Sequence, residues 1–270
     1  MYEFACDRPI TIDVRVPAGV VEIVAEERAS ASVEVTPQDG SDTSRQAAAE
    51  TLVEMNGDTL VVHAPKDGGW LWRRGPRLRV TARVPVDTAL SLGMASADAR
   101  CHGRYRAASV RTASGDVTLD EVTGDAAVHS ASGDIEVRTV GGSLRLNSAS
   151  GDVALGRVGG DASVNTASGD VMINDVSGDV TSRTASGDIR IRAAHRGRFQ
   201  AKTASGDVQI GVVQGVGVWL DVSSLSGSTR SDLTMGEAPV DRTADLTLSI
   251  RTLSGDVEIT RTAPAPAKKL

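Results

Sequence analysis

From residue 117 onward, apolar side chains recur at fixed places. Val117, Ile135, Val153, Val171, Ile189 and Val208 each follow an aspartate, and two residues further on stand Leu119, Val137, Leu155, Ile173, Ile191 and Ile210. Apolar positions two apart are the period of a short strand with one buried face. A third apolar position follows at Val122, Val140, Val158 and Val176. The intervening stretches repeat the arrangement with Ala126, Leu144, Ala162 and Val180, then Val128, Leu146 and Val164. In these stretches the alanine of the following Ala-Ser-Gly-Asp is expected to take the third inward place.

Ala-Ser-Gly-Asp occurs six times, its serine at Ser114, Ser132, Ser150, Ser168, Ser186 and Ser205, and Ala95-Ser96-Ala97-Asp98 is a degraded earlier copy. Weaker copies lie midway, at Thr123-Gly124-Asp125, Gly141-Gly142-Ser143, Gly159-Gly160-Asp161 and Ser177-Gly178-Asp179. The unit is therefore nine residues used twice per 18-residue coil, with glycine at corners that need positive φ. This predicts an all-β parallel β-solenoid with two strands per coil, six coils stacking at ~4.8 Å into a segment ~30 Å long. A triangular helix of hexapeptides is excluded, because the apolar period is nine and not six. The usual hand of parallel crossovers makes right-handed winding the expected one.

The repeats span 94–211. Residues 1–93 form the expected β-rich N-terminal cap, since an open solenoid end exposes a sheet edge. Within it Ile10, Ile12, Val14 and Val16 alternate, as do Val21 with Ile23 and Val33 with Val35; residues 42–49 predict one or two helical turns. Asn56-Gly57 predicts a hairpin between 53–55 and 60–62, and Leu78 to Val84 a strand leading into the repeats. Residues 212–260 predict degenerate coils, one at 219–227 and a last one at 248–260, separated by a loop at 229–247. Residues 1–260 are thus expected to form one domain, and 261–270 a disordered tail.

Composition narrows the function classes. Aromatic residues make up 3% of the chain, so the core is thin and built from small branched side chains. The net charge of −6 gives no signal for nonspecific nucleic-acid binding. Cys6 and Cys101 are too few for a disulfide framework, and Cys101 falls in the apolar column of Leu119 and Val137 as a buried thiol. The first residues, MYEFACDRPITIDVRV, lack the basic and apolar regions of a signal peptide, and no stretch approaches the ~18 apolar residues of a membrane span. The expected location is cytoplasmic.

Candidate chemistry is sparse. The corner aspartates Asp116, Asp134, Asp152, Asp170, Asp188 and Asp207 form a ladder. A calcium β-roll would place Gly-Gly-x-Gly-x-Asp before its apolar residue; here one glycine precedes the aspartate. The preferred reading is structural, each carboxylate accepting hydrogen bonds in its turn. A carbohydrate-active enzyme needs an acid pair in an aromatic-lined groove, yet the repeats offer only Tyr105 and Phe199. His63, His102, His129 and His195 are expected as solvated surface residues. No phosphate-cradling loop or nucleophile elbow occurs, so neither an enzyme nor a cofactor or metal site is expected.

Two features point instead to a partner surface. The loop containing Trp70, Trp72, Arg73, Arg74 and Arg77 combines the residue types of binding hot spots, although its tryptophans would equally plug the solenoid's end. The outward positions of the second half-coils, including Arg111, Arg145, Arg183 and Lys202, contain no acid from Ser109 to Lys202. That predicts a flat, mildly cationic sheet suited to another protein or an extended anionic polymer.

The segment Pro9-Ile10-Thr11-Ile12-Asp13-Val14, the serial Thr-Ala-Ser-Gly-Asp-Val and the closing Gly215-Val216-Gly217-Val218-Trp219-Leu220-Asp221 resemble the bacterial "putative adhesin" family of β-strand repeats. That family is a domain of unknown function of actinobacterial type, similar to the toastrack domains of envelope-stress systems. The resemblance implies no catalytic residues. The expectation is a noncatalytic scaffold or protein-interaction module linked to envelope or stress functions. A filament-forming protein that polymerises through its solenoid ends is the alternative.

Overall fold

In a chain so poor in aromatics, burial depends on stacking one valine or leucine on the next. The computed structural model describes residues 1–65, 75–233 and 244–262. The chain divides into two compact units, Met1–Gly141 and Gly142–Leu270. Both are parallel β-solenoids.

The first unit contains β1 (Tyr2–Ala5), β2 (Thr11–Glu26), β3 (Ser30–Pro37), α1 (Asp42–Glu50), β4 (Leu52–Asn56), β5 (Thr59–His63) and β6 (Arg77–Pro85). These are followed by β7 (Thr88–Ser114), β8 (Val117–Val122), β9 (Ala126–Ser132) and β10 (Ile135–Val140). The repeat strands stack in the expected register: Ala99, Val117 and Ile135 align, as do Cys101, Leu119 and Val137. All six are buried.

The N-terminal region does more than cover an end. The first half of β2 pairs in parallel with β5 and with Ala89–Met94 of β7, and its second half with β6 and with Ser96–His102 of β7. β2 is thus a rung of the stack, set between β6 and β7, and β7 runs straight through the expected boundary at 93. Among the described residues, antiparallel pairing is confined to β3 on β6, β1 on β3 and β4 on β5. The last of these is the Asn56-Gly57 hairpin. The expected helical turns are α1, whose N-cap Ser41 accepts the Ser44 N–H at 3.1 Å.

The second unit alternates between two ladders. One contains β11 (Leu144–Ser150), β13 (Ala162–Ser168), β15 (Val180–Ser186), β17 (Gly197–Ser205), β19 (Val218–Ser226) and β21 (Leu246–Ser254). The other contains β12 (Val153–Val158), β14 (Val171–Val176), β16 (Ile189–Ala194), β18 (Val208–Val213), β20 (Thr229–Ser231) and β22 (Val257–Thr262). The coil that closes the sequence does not close the stack. β21 pairs with β17 on one side and β19 on the other, and β22 lies between β18 and β20. Leu246, Leu248 and Ile250 are buried there, whereas Val218, Leu220 and Val222 of β19 are half-buried. The strand with the larger side chains takes the position that removes more apolar surface from water. Arg261 and Thr262 belong to β22; the rest of the expected tail, 263–270, and residues 234–243 of the expected loop lie outside the described residues.

One expectation about the core is wrong. The alanines of Ala-Ser-Gly-Asp are exposed, and the residue before each points inward: Thr112, Ser148, Thr166, Thr184 and Thr203 are buried and Ser130 is half-buried, and Thr252 is buried at the same place before Leu253-Ser254-Gly255-Asp256. Strict alternation along β13 (Ala162, Val164, Thr166) decides the matter, and the hydroxyl makes it tolerable. Ser148, Thr166 and Thr184 each donate to the carbonyl two residues on, at 2.9, 3.1 and 3.1 Å. At Thr166 and Thr184 the side chain thus buries its methyl while its oxygen ties down the corner, whereas the buried Thr112 and Thr252 hydroxyls find no partner among the described residues. The glycine that follows is required twice over. At Gly187, φ is 139° and an added Cβ would stand 2.2 Å from the Gly169 carbonyl oxygen.

Candidate interaction face

The aspartate ladder is built into the backbone. Each Oδ1 accepts the N–H of the aspartate one rung on: Asp98 from Asp116, Asp116 from Asp134, Asp152 from Asp170, Asp170 from Asp188 and Asp188 from Asp207, at 2.8–3.2 Å. It continues through Asp207 to Asp256 and from Asp256 to Ser228 N–H, both at 2.7 Å. Ser228 carries no carboxylate, so the series stops there. The opposite corner does the same with Asp161 accepting from Asp179 at 3.0 Å.

Of the tryptophan–arginine loop, Trp70, Trp72, Arg73 and Arg74 lie outside the described residues. Arg77 begins β6, exposed, with its N–H donated to Ser44 Oγ at 3.0 Å. Three histidines stand at the surface beside aspartates, His102 exposed as expected and His63 and His195 half-buried. His63 Nε2 lies 2.7 Å from Asp13 Oδ2, His102 Nδ1 3.4 Å from Asp120 and His195 Nε2 3.1 Å from Asp175. Burial acts to raise the pKa of Asp13. The hydrogen bonds from His63 and Ser91 and the nearby Arg15 outweigh it, and the carboxyl sits below its ordinary value. Ser91 and His63 both bind this carboxylate, so the cluster orients no nucleophile toward a base. Cys101 is fully buried, and desolvation pushes its thiol up to about 12; it is inert.

The outward positions of the second half-coils line up across adjacent strands. In the first unit Arg111 aligns with His129. In the second unit Arg145 aligns with Ser163. The next outward row runs Asn147, Asn165, Arg183, Lys202, Arg251 and Ser223 across adjacent strands. Asn165 Nδ2 donates to Asn147 Oδ1 at 3.1 Å and its own Oδ1 accepts from Arg183 at 3.4 Å, so the amide ladder orients the first cation. Arg251 was missed because its strand comes 49 residues after Lys202 in sequence but next to it in the sheet. Arg183, Lys202 and Arg251 are exposed, and none is ion-paired with an acid among the described residues. The first half-coils differ: Arg138 pairs with Asp120 at 3.4 Å and Arg157 with Asp175 at 4.0 Å. Asp221, on β19, is the one acid among the described residues that the extra strands bring to the outward rows of the second unit's half-coil face, where it accepts from Ser249 Oγ at 3.4 Å.

The family model Toastrack DUF4097 matches residues 10–260. The chain belongs to the Toastrack family. Solved structures that this chain resembles include a "putative adhesin" from Bacteroides fragilis, 13% identical, covering 97% of this chain and 95% of that one with a TM-score of 0.44. Another is described as a "putative lipid binding protein", from Parabacteroides distasonis, 11% identical over 97% and 95% of the two chains with a TM-score of 0.32. Likenesses this distant carry no argument about function. Among curated proteins, no relative matches. No helix among the described residues of this Toastrack chain is long and apolar enough to cross a membrane.

Proposed function

We propose that this Toastrack chain is a noncatalytic interaction module that takes an extended anionic partner on the outward face of its second half-coils. One observation carries the reading: Arg183, Lys202 and Arg251 stand side by side across three neighbouring strands, and none of them is ion-paired with an acid among the described residues. Like charges directly opposite each other on adjacent strands destabilise a sheet. An anion spanning the rungs relieves that repulsion. The rung spacing of ~4.8 Å sets the cations in a row that suits a polymer or an acidic protein face rather than a small molecule, which needs a concave pocket. End-to-end polymerisation has less support, because the aspartate ladder ends at a serine.

Retention on immobilised polyglutamate tests the proposal. Binding is expected to weaken as salt rises, the Debye length falling from ~10 Å at 0.1 M to ~3 Å at 1 M. Arg183→Glu with Lys202→Glu should lower affinity at least tenfold, while Arg192→Glu on a first half-coil should change it little. Equal behaviour of the two variants would remove the basis for the proposal.

A further inference from the structure

The same face carries side chains that an anionic polymer alone does not explain. Six large apolar residues are exposed among the described residues, and three of them, Trp219 (55% exposed), Leu225 (83%) and Leu253 (59%), lie on two adjacent strands. Trp219 stands opposite Thr247, which stands opposite Arg198 of β17. At the other end of β19, Leu225 lies beside Leu253, between the aligned pairs Ser224–Thr252 and Ser226–Ser254. Arg251 and Lys202 sit between these apolar ends. Trp219 and Leu225 are six residues apart, about 20 Å along the strand.

We infer that the outward face of β17, β21 and β19 docks on an anionic lipid surface, a conclusion that rests on the anionic-partner reading above. In a protein hot spot the apolar anchors gather at the centre within a polar rim. Here the order is reversed, with apolar side chains at the two margins and cations between. A fluid interface accepts that order. The indole sits at headgroup level, the leucines reach the acyl boundary, and Arg198, Lys202 and Arg251 meet lipid phosphates. Asp221, the acid on this patch, is held by Ser249.

Sedimentation with vesicles decides the matter. The full chain should pellet with phosphatidylglycerol–phosphatidylcholine vesicles and stay in solution with pure phosphatidylcholine. Each cation neutralised should cost about fivefold in partitioning. Trp219→Ala with Leu225→Ser should lower vesicle binding at least tenfold and leave polyglutamate binding unchanged. Both residues are exposed, so an unchanged circular-dichroism melt is expected for the variant, and Leu253→Ser alone provides a milder check. If the apolar variants pellet like the parent chain, the lipid inference is wrong. Binding to polyglutamate without binding to anionic vesicles refutes the lipid surface and leaves the anionic-partner reading standing. Binding to neither refutes both.

Discussion

Moving one carboxylate by a single residue along β13 separates the two assignments of the corner. Thr166 is 7% exposed, aligned with Ser148 of the neighbouring rung, and its hydroxyl is already committed to the Ser168 carbonyl at 3.1 Å. An aspartate in its place would be buried with no cation beside it. It must either stay charged without solvation or protonate against its pKa, and the cost is ~3 kcal/mol or more at pH 7. The same aspartate at exposed Ala167 should cost under ~1 kcal/mol. Thr166→Val keeps the volume but forfeits the hydrogen bond, at ~1 kcal/mol. Against a total stability of ~5–15 kcal/mol these differences are easily resolved in denaturant midpoints at constant slope. A larger loss from Ala167→Asp than from Thr166→Asp would refute the inward threonine and restore the inward alanine.

Three further outcomes follow from the stacking. Gly187→Ala should cost ~2–4 kcal/mol, because both its φ and the Gly169 carbonyl forbid a Cβ; an unchanged thermal midpoint would contradict the corner geometry. Asp188→Ala should cost ~1 kcal/mol by removing the acceptor of the Asp207 N–H, and Asp188→Asn less, because an acceptor oxygen remains; equal melts for the two would point to charge instead. Asp13 has a folded pKa below its ordinary 3.8, so its contribution is present above that value and is lost as pH falls through the lower folded value. Asp13→Asn should therefore flatten the acid limb of a stability–pH profile below about pH 4, and an unaltered limb would show that the His63 and Ser91 contacts contribute nothing.

The repeats were legible because a nine-residue period places every valine and leucine of the first two columns, and Asn56-Gly57 and the helix at 42–50 carry strong local signals. The third column misled because hydropathy favours alanine over threonine. In a narrow coil, however, alternation continues to the corner, and a threonine can bury a methyl while bonding the chain. Strand order at the ends was not legible. β2 inserts between β6 and β7 and β21 between β17 and β19; β21 shares the Ser-Gly corner with both of its neighbours, but nothing local in the sequence says that it precedes β19 in the stack. The same holds for the His63 contact: its partner Asp13 lies 50 residues away and is adjacent only once β5 pairs with β2. The cationic row was half visible, since Arg183 and Lys202 fall in the aligned rungs but Arg251 joins them only through the reordered coil.

Chemical footprinting of arginines addresses the binding face most directly. Phenylglyoxal modification, read by mass spectrometry with and without saturating polyglutamate, compares Arg183 and Arg251 of the second half-coils with Arg192, which is also exposed, on a first half-coil. Strong protection of Arg183 and Arg251 with Arg192 unchanged is the predicted result. Protection of Arg192 while Arg183 and Arg251 react as fast as in the free chain would contradict it.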